Sequence, residues 1–135
     1  MIVDTSALLA YFDAQEPQHD AVAATIDAAE QPLVVSPYVI AELDHLVLTR
    51  HGPAAERAVL IELAGGAWEL APIDRTRLAA ATRIVDQYRD VPIGVTDASN
   101  IVLAQAYQTR DIATLDRRHF TILRFGDGSA PRLLP

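Results

Sequence analysis

Four acids stand where acids are costly in this chain: Asp4 in Met1-Ile-Val-Asp-Thr-Ser6, Glu42 in Ser36-Pro-Tyr-Val-Ile-Ala-Glu42, Asp97 in Ile93-Gly-Val-Thr-Asp97, and Asp116 in Ile112-Ala-Thr-Leu-Asp116. Each adjoins an apolar run of the kind that builds a core, where a carboxylate is rarely left without a partner. The chain has no lysine, and of the four only Asp116 has an arginine beside it. If the fold gathers them, two carboxylates about 4 Å apart repel by roughly 4 kcal/mol at an effective dielectric of 20. A divalent cation would relieve that repulsion, so the pattern predicts a metal site. Oxygen-only ligands suit Mg²⁺ or Mn²⁺; with no cysteine and no His-x-x-x-His pair, zinc is disfavoured.

Taken singly, each acid has a structural explanation. Asp4 and Asp97 can serve helix starts, Glu42 can flank a surface, and Asp116 can pair with Arg117 or Arg118. Taken together they need four separate excuses, and that favours a shared site. Asn100, one helical turn after Asp97, can orient a ligand or a water. Thr5 and Ser6, at a helix start, can donate to a substrate phosphate. His19, His45, His51 and His119 are scattered and read as surface residues.

The elements that must position these groups are short apolar runs alternating with helical patterns. Ile2-Val3, Leu33–Val35, Trp68–Ala71 and Asp111–Asp116 read as strands, with Thr121–Arg124 as a final edge strand and Gly126–Pro131 as a mobile tail. Helices are expected over Ala7–Phe12 (capped by Thr5 or Ser6), Gln18–Ala29, Pro37–Arg50 (capped by Ser36), Pro53–Leu63, Asp74–Tyr88 and Asp97–Tyr107 (capped by Thr96). Val39, Leu43, Leu46 and Val47 form the inward stripe of the third, and Leu78, Ile84 and Val85 that of the fifth. This alternation predicts an α/β fold, three layers with a parallel sheet of four or five strands. Ligands in such folds sit beyond the carboxyl ends of the strands, which is where Asp4 and Asp116 fall.

At 135 residues the chain is expected to form one domain spanning 1–135. Half its residues are hydrophobic, an ordinary globular composition. Without a basic leader or a long apolar run, it is expected in the cytoplasm, away from membranes. The net charge of −7 argues against coating nucleic acid by charge alone. Five arginines (Arg110, Arg117, Arg118, Arg124, Arg132) nevertheless lie in the last 26 residues, where they form either a solvated face or a local basic patch beside the acids.

The set Val-Asp-Thr-Ser, Ser-Pro-Tyr-Val-Ile-Ala-Glu, Thr-Asp-Ala-Ser-Asn and Thr-Leu-Asp-Arg-Arg-His-Phe, in this order from Ile2 to Phe120, resembles the PIN-domain ribonucleases. It looks most like the VapC toxins of toxin–antitoxin pairs. The resemblance implies that Asp4, Glu42, Asp97 and Asp116 hold Mg²⁺ for hydrolysis of structured RNA, tRNA or rRNA. It places Thr5 or Ser6, and Asn100, at polar positions beside the quartet; Arg117 or Arg118 would position the RNA backbone. It also implies a VapB-like antitoxin partner and a homodimer. Two rivals remain. A Mg²⁺-dependent phosphatase is weakened by the lack of a phosphate-holding lysine, and a catalytically silent RNA- or protein-binding module by the intact quartet.

Overall fold

The β-branched runs at Ile2-Val3, Val34-Val35 and Ile112 become the centre of a sheet of short strands. β1 (Ile2–Val3), β2 (Val34–Val35), β3 (Glu69–Leu70), β4 (Asp111–Ala113) and β5 (Arg132–Leu134) form one sheet in the order β3-β2-β1-β4-β5. Every pairing is parallel, with Ile2 opposite Val34 and Ile112, and Val3 opposite Ala113. A computed structural model describes residues 1–135. Seven helices connect and cover the strands: α1 (Thr5–Phe12), α2 (His19–Asp27), α3 (Pro37–His51), α4 (Pro53–Ala64), α5 (Arg75–Gln87), α6 (Val95–Ala106) and α7 (Arg117–Phe120).

Strand side chains alternate between faces, and the core divides accordingly. Val3, Val35 and Ala113 point to one layer, where Leu8, Val22, Val39, Leu43 and Trp68 pack from α1, α2, α3 and the β3 approach. Ile2, Val34 and Ile112 point to the other, against Ile101, Leu103, Phe120 and Leu123. α5 lies outside α6 through Ala81, Ala98 and Val102. This is the expected three-layer α/β arrangement with a five-stranded parallel sheet. Truncating Phe120, which is fully buried, would cost about 3–5 kcal/mol.

Local signals explain the well-read helices. Ser36 caps α3 by accepting from the Tyr38 amide at 3.2 Å, with Pro37 in the first turn, and Asp74 caps α5 by accepting from the Arg77 amide at 2.9 Å. Other expectations are corrected. Thr121–Arg124 is not a strand: the Leu123 amide donates to His119 O and the Arg124 guanidinium closes over the carbonyls of Thr121, Ile122 and Leu123. The edge strand is β5, drawn from the segment after Pro131. Nor is Gly126–Pro131 a free tail. It folds into a turn in which Asp127 accepts from the Ser129 amide and hydroxyl, and the Phe125 amide donates to Ser129 O.

Helix α6 begins earlier than Asp97, with Gly94 rather than Thr96 in the capping position, because Gly94 O already accepts from the Ala98 amide. Asp4, not Thr5 or Ser6, precedes α1, and both hydroxyls are engaged elsewhere. Leu78 is exposed at 41%, so α5 turns Ala81 rather than Leu78 toward α6; Leu46 is only half-buried in the α3 stripe.

Candidate active site

Asp4 continues β1 by one residue. Its amide donates to Ala113 O at 3.0 Å, while its carbonyl accepts from the Leu8 amide and starts α1. The carboxylate is therefore fixed at the carboxyl edge of the sheet, and it is 5% exposed. Three neutral donors hold it. Asn100 Nδ2 reaches Oδ1 at 3.0 Å, and the hydroxyls of Ser6 and Thr114 reach Oδ2 at 3.0 and 2.9 Å. Burial pushes its pKa up; the Thr114 and Ser6 hydrogen bonds oppose that, and the charge of Asp97 adds to it.

Glu42 projects from the second turn of α3 and accepts from Thr5 Oγ1 at 2.9 Å. Its approach to Asp97 follows from a buried hydroxyl relay. Ser36 at the start of α3 meets Ser99 of α6 at 2.7 Å, and Ser99 donates to Thr96 O. Asp97 stands in the first turn of α6 with His119 Nδ1 at 2.6 Å from Oδ2. Its pKa is also raised, chiefly by burial, with His119 lowering it and the charges of Asp116 and Glu42 raising it. Asp116 starts α7 and takes a bidentate contact from Arg118 at 3.0 and 2.6 Å, which depresses its pKa.

All four acids line one cleft of about 310 Å³, together with Thr5, Ser6, Glu16 and Arg50. As placed, no three acids or histidines are grouped tightly enough to hold a cation, since each carboxylate has taken a partner of its own. The donor set nonetheless fits a hard divalent ion. It is all oxygen, burial and like charge raise the pKa of Asp4 and Asp97 in a way a bound cation would offset, and Asn100 Oδ1 is buried beside Asp4 without any partner.

The remaining sequence candidates are placed as follows. Asn100 is fully buried and orients Asp4. Ser6 donates to Asp4 while accepting from the Leu115 amide at 2.9 Å, and Thr5 serves Glu42, so both hydroxyls are engaged within the site. Arg118 is committed to Asp116 and Arg117 to Pro135 O. Three residues escaped sequence reasoning. Thr114 looked like any strand residue, His119 read as surface, and Arg50 carried no motif.

Comparison with known proteins identifies the family. The PIN-domain family matches residues 1–125. Ribonuclease VapC26 of Mycobacterium tuberculosis is 59% identical over 135 residues, the whole of both chains. The chain belongs to the VapC family of PIN-domain ribonucleases. Among solved structures, VapC20 of Mycobacterium tuberculosis, a sarcin-ricin loop cleaving toxin, superposes with a TM-score of 0.81 at 16% identity, over 90% of this chain and 93% of that one. FitAcB from Neisseria gonorrhoeae gives 0.68 at 18% identity, over 89% and 90%. At those identities the likeness is one of fold. It places this VapC chain among PIN-type α/β proteins from the backbone alone, independently of its sequence motifs.

Proposed function

We propose that this VapC protein is a Mg²⁺-dependent endoribonuclease that hydrolyses phosphodiester bonds in structured RNA, tRNA or rRNA, as the toxin of a toxin–antitoxin pair. The observation that carries the reading is the convergence of four acids from four different elements on one cleft at the carboxyl edge of a parallel sheet. The name of VapC26, a ribonuclease, supports it.

Asp4, Glu42, Asp97 and Asp116 would hold the metal, Mg²⁺ or Mn²⁺, which would supply a water of lowered pKa and a counter-charge for the phosphate. The other groups prepare the ligands. Asn100, Ser6 and Thr114 keep the Asp4 carboxylate in one orientation, and His119 does the same for Asp97. Because burial raises the pKa of Asp4 and Asp97, protons compete with the metal, and affinity falls as pH drops through those values. The partners of this activity are the RNA, a VapB-like antitoxin and a second copy of the chain, in the cytoplasm. No helix is long and apolar enough to cross a membrane.

The test is sequencing of new RNA 5′ ends after brief expression, alongside incubation of purified protein with total RNA in Mg²⁺ or EDTA. Discrete new ends that vanish in EDTA and in Asp4→Ala are expected. Ends that persist in either condition would refute the assignment.

A further inference from the structure

We infer that Arg50 grips an RNA backbone phosphate flanking the one that is cut, an assignment that rests on the ribonuclease reading above. The cleft is lined by five acids, with Glu16 added to the quartet, and Arg50 is its one basic side chain. Such a cleft repels a polyanion everywhere except at a bound metal and at this guanidinium.

Arg50 is also unengaged, and of the arginines without a partner (Arg50, Arg57, Arg75, Arg83) it alone lines the cleft. Arg77, Arg110, Arg117 and Arg124 donate to backbone carbonyls, and Arg118 and Arg132 to carboxylates. Arg117 and Arg118, the arginines nearest the quartet in sequence, are therefore occupied. Arg50 makes no hydrogen bond or ion pair, although Glu42 and Glu16 line the same cleft. Its five N–H donors face an anion-binding task with nothing to displace.

The position follows from α3. Glu42 and Arg50 lie eight residues apart, roughly 12 Å along the axis at 1.5 Å per residue, with Leu46 between them against the cleft. With its backbone two turns beyond Glu42, Arg50 stands at the far end of the cleft from the acids, where a phosphate flanking the scissile one would lie. Such a phosphate belongs to a neighbouring nucleotide, and the contact sets the register of the strand without reading its bases. The competing explanation is structural, a cation at the carboxyl end of α3 favoured by the helix dipole. That role needs only the charge, whereas a fork on a phosphate needs the guanidinium.

The experiment compares wild type, Arg50→Gln, Arg50→Lys and Arg57→Gln, a substitution on α4 outside the cleft. Three quantities are measured: thermal stability, steady-state cleavage of total tRNA in Mg²⁺, and binding of fluorescein-labelled total tRNA with Ca²⁺ in place of Mg²⁺ across a salt series. Arg50→Gln should raise KM and the binding Kd about tenfold with little change in kcat. It should also lower the slope of log Kd against log salt by about 0.7 to 1. Arg50→Lys should recover part of the affinity, and Arg57→Gln should match wild type. An unchanged KM and Kd in Arg50→Gln, or full recovery by lysine with stability tracking affinity, would overturn the assignment. Arg50-dependent binding without cleavage would overturn the ribonuclease reading while keeping Arg50 as an RNA contact. Cleavage with an Arg50-independent KM would do the reverse.

Discussion

Replacing Thr114 by valine removes one hydroxyl and almost no volume. Thr114 is fully buried just after β4; it donates to Asp4 Oδ2 at 2.9 Å and accepts from the Asp116 amide at 3.2 Å. That amide keeps Ser6 Oγ at 3.3 Å, so the loss falls mainly on Asp4, left with two donors. A hydrogen bond to a buried ionised group contributes about 1.5–3 kcal/mol, so a deficit of about 2 kcal/mol is expected where Asp4 is charged. For 135 residues at about 2.1 cal/mol/K each, the unfolding entropy is near 0.28 kcal/mol/K, and Tm should fall by about 7 °C. The sign of the pH dependence follows from Asp4. Its pKa lies above the ordinary 3.8, and the Thr114 donor favours the ionised form. The deficit is therefore full above the folded pKa of the valine variant, the higher of the two, and has declined toward about 1 kcal/mol, the value for a neutral bond, once pH is below that of wild type. Urea unfolding of both proteins from pH 8 to pH 3.5 measures this. A deficit that does not change across that range, or one below about 0.5 kcal/mol at pH 8, would refute the account of how Asp4 is held.

Other expectations follow from the same groups. Asp4→Asn should abolish metal-dependent cleavage, on the order of 10³-fold or more. It should raise the stability of the metal-free protein, by a gain absent below pH 3.8 that grows as pH rises through the folded pKa; a fall in Tm at pH 8 would contradict this. Mg²⁺ or Mn²⁺ at about 100 times its Kd should stabilise wild type by about 2.7 kcal/mol in a thermal shift assay, and Asp97→Asn should lose most of that shift. Arg132→Gln should destabilise the protein at neutral pH, because Arg132 holds Asp111 ionised at 2.6 Å on both oxygens. That loss should vanish as pH falls below the depressed pKa of Asp111, as chemical denaturation at several pH values would reveal. Co-expression with the adjacent upstream reading frame should yield a complex in which cleavage is suppressed. Failure of both would remove the toxin–antitoxin assignment and leave the nuclease open to test.

Four of the five strands, the three layers and the convergence of the four acids on one cleft were legible from local signatures. An apolar β-branched run that ends in an acid marks Asp4 and Asp116 as residues that follow strands, and Ser36-Pro37 and Asp74 carry their helix starts in their own side chains. What stayed hidden depends on pairs distant in sequence. Thr114 and Asp4 are 110 residues apart, and nothing local in Ile-Ala-Thr-Leu tells the hydroxyl from any other. His119 is turned inward by a contact with Asp97, 22 residues away. The edge strand is a different case. A parallel neighbour needs a crossover of a dozen or more residues. Thr121 follows Ala113 too closely for that, whereas β5 leaves residues 114–131 to cross. Its sequence, flanked by Pro131 and Pro135, is the weaker strand pattern, so chain geometry overrode propensity.

The two buried aspartates of neighbouring strands show what the chain does when it simply needs to stabilise a carboxylate. Asp4 and Asp111 are each 5% exposed, one beyond the carboxyl end of β1 and the other at the amino end of β4. Asp111 receives the Arg132 fork, Gln31 at 3.2 Å and the nearby α-ammonium of Met1, and its pKa falls. Asp4 receives only neutral donors, and burial, with the repulsion of Asp97 added, raises its pKa despite them. The same fold, with eleven arginines available, thus pairs one buried acid and leaves the other without a cation. An arginine on Asp4 would lower its pKa as Arg132 lowers that of Asp111, but would fill the position the proposed metal would take. Neutral donors hold the carboxylate in place and leave its charge unspent, the arrangement the proposed cation site requires.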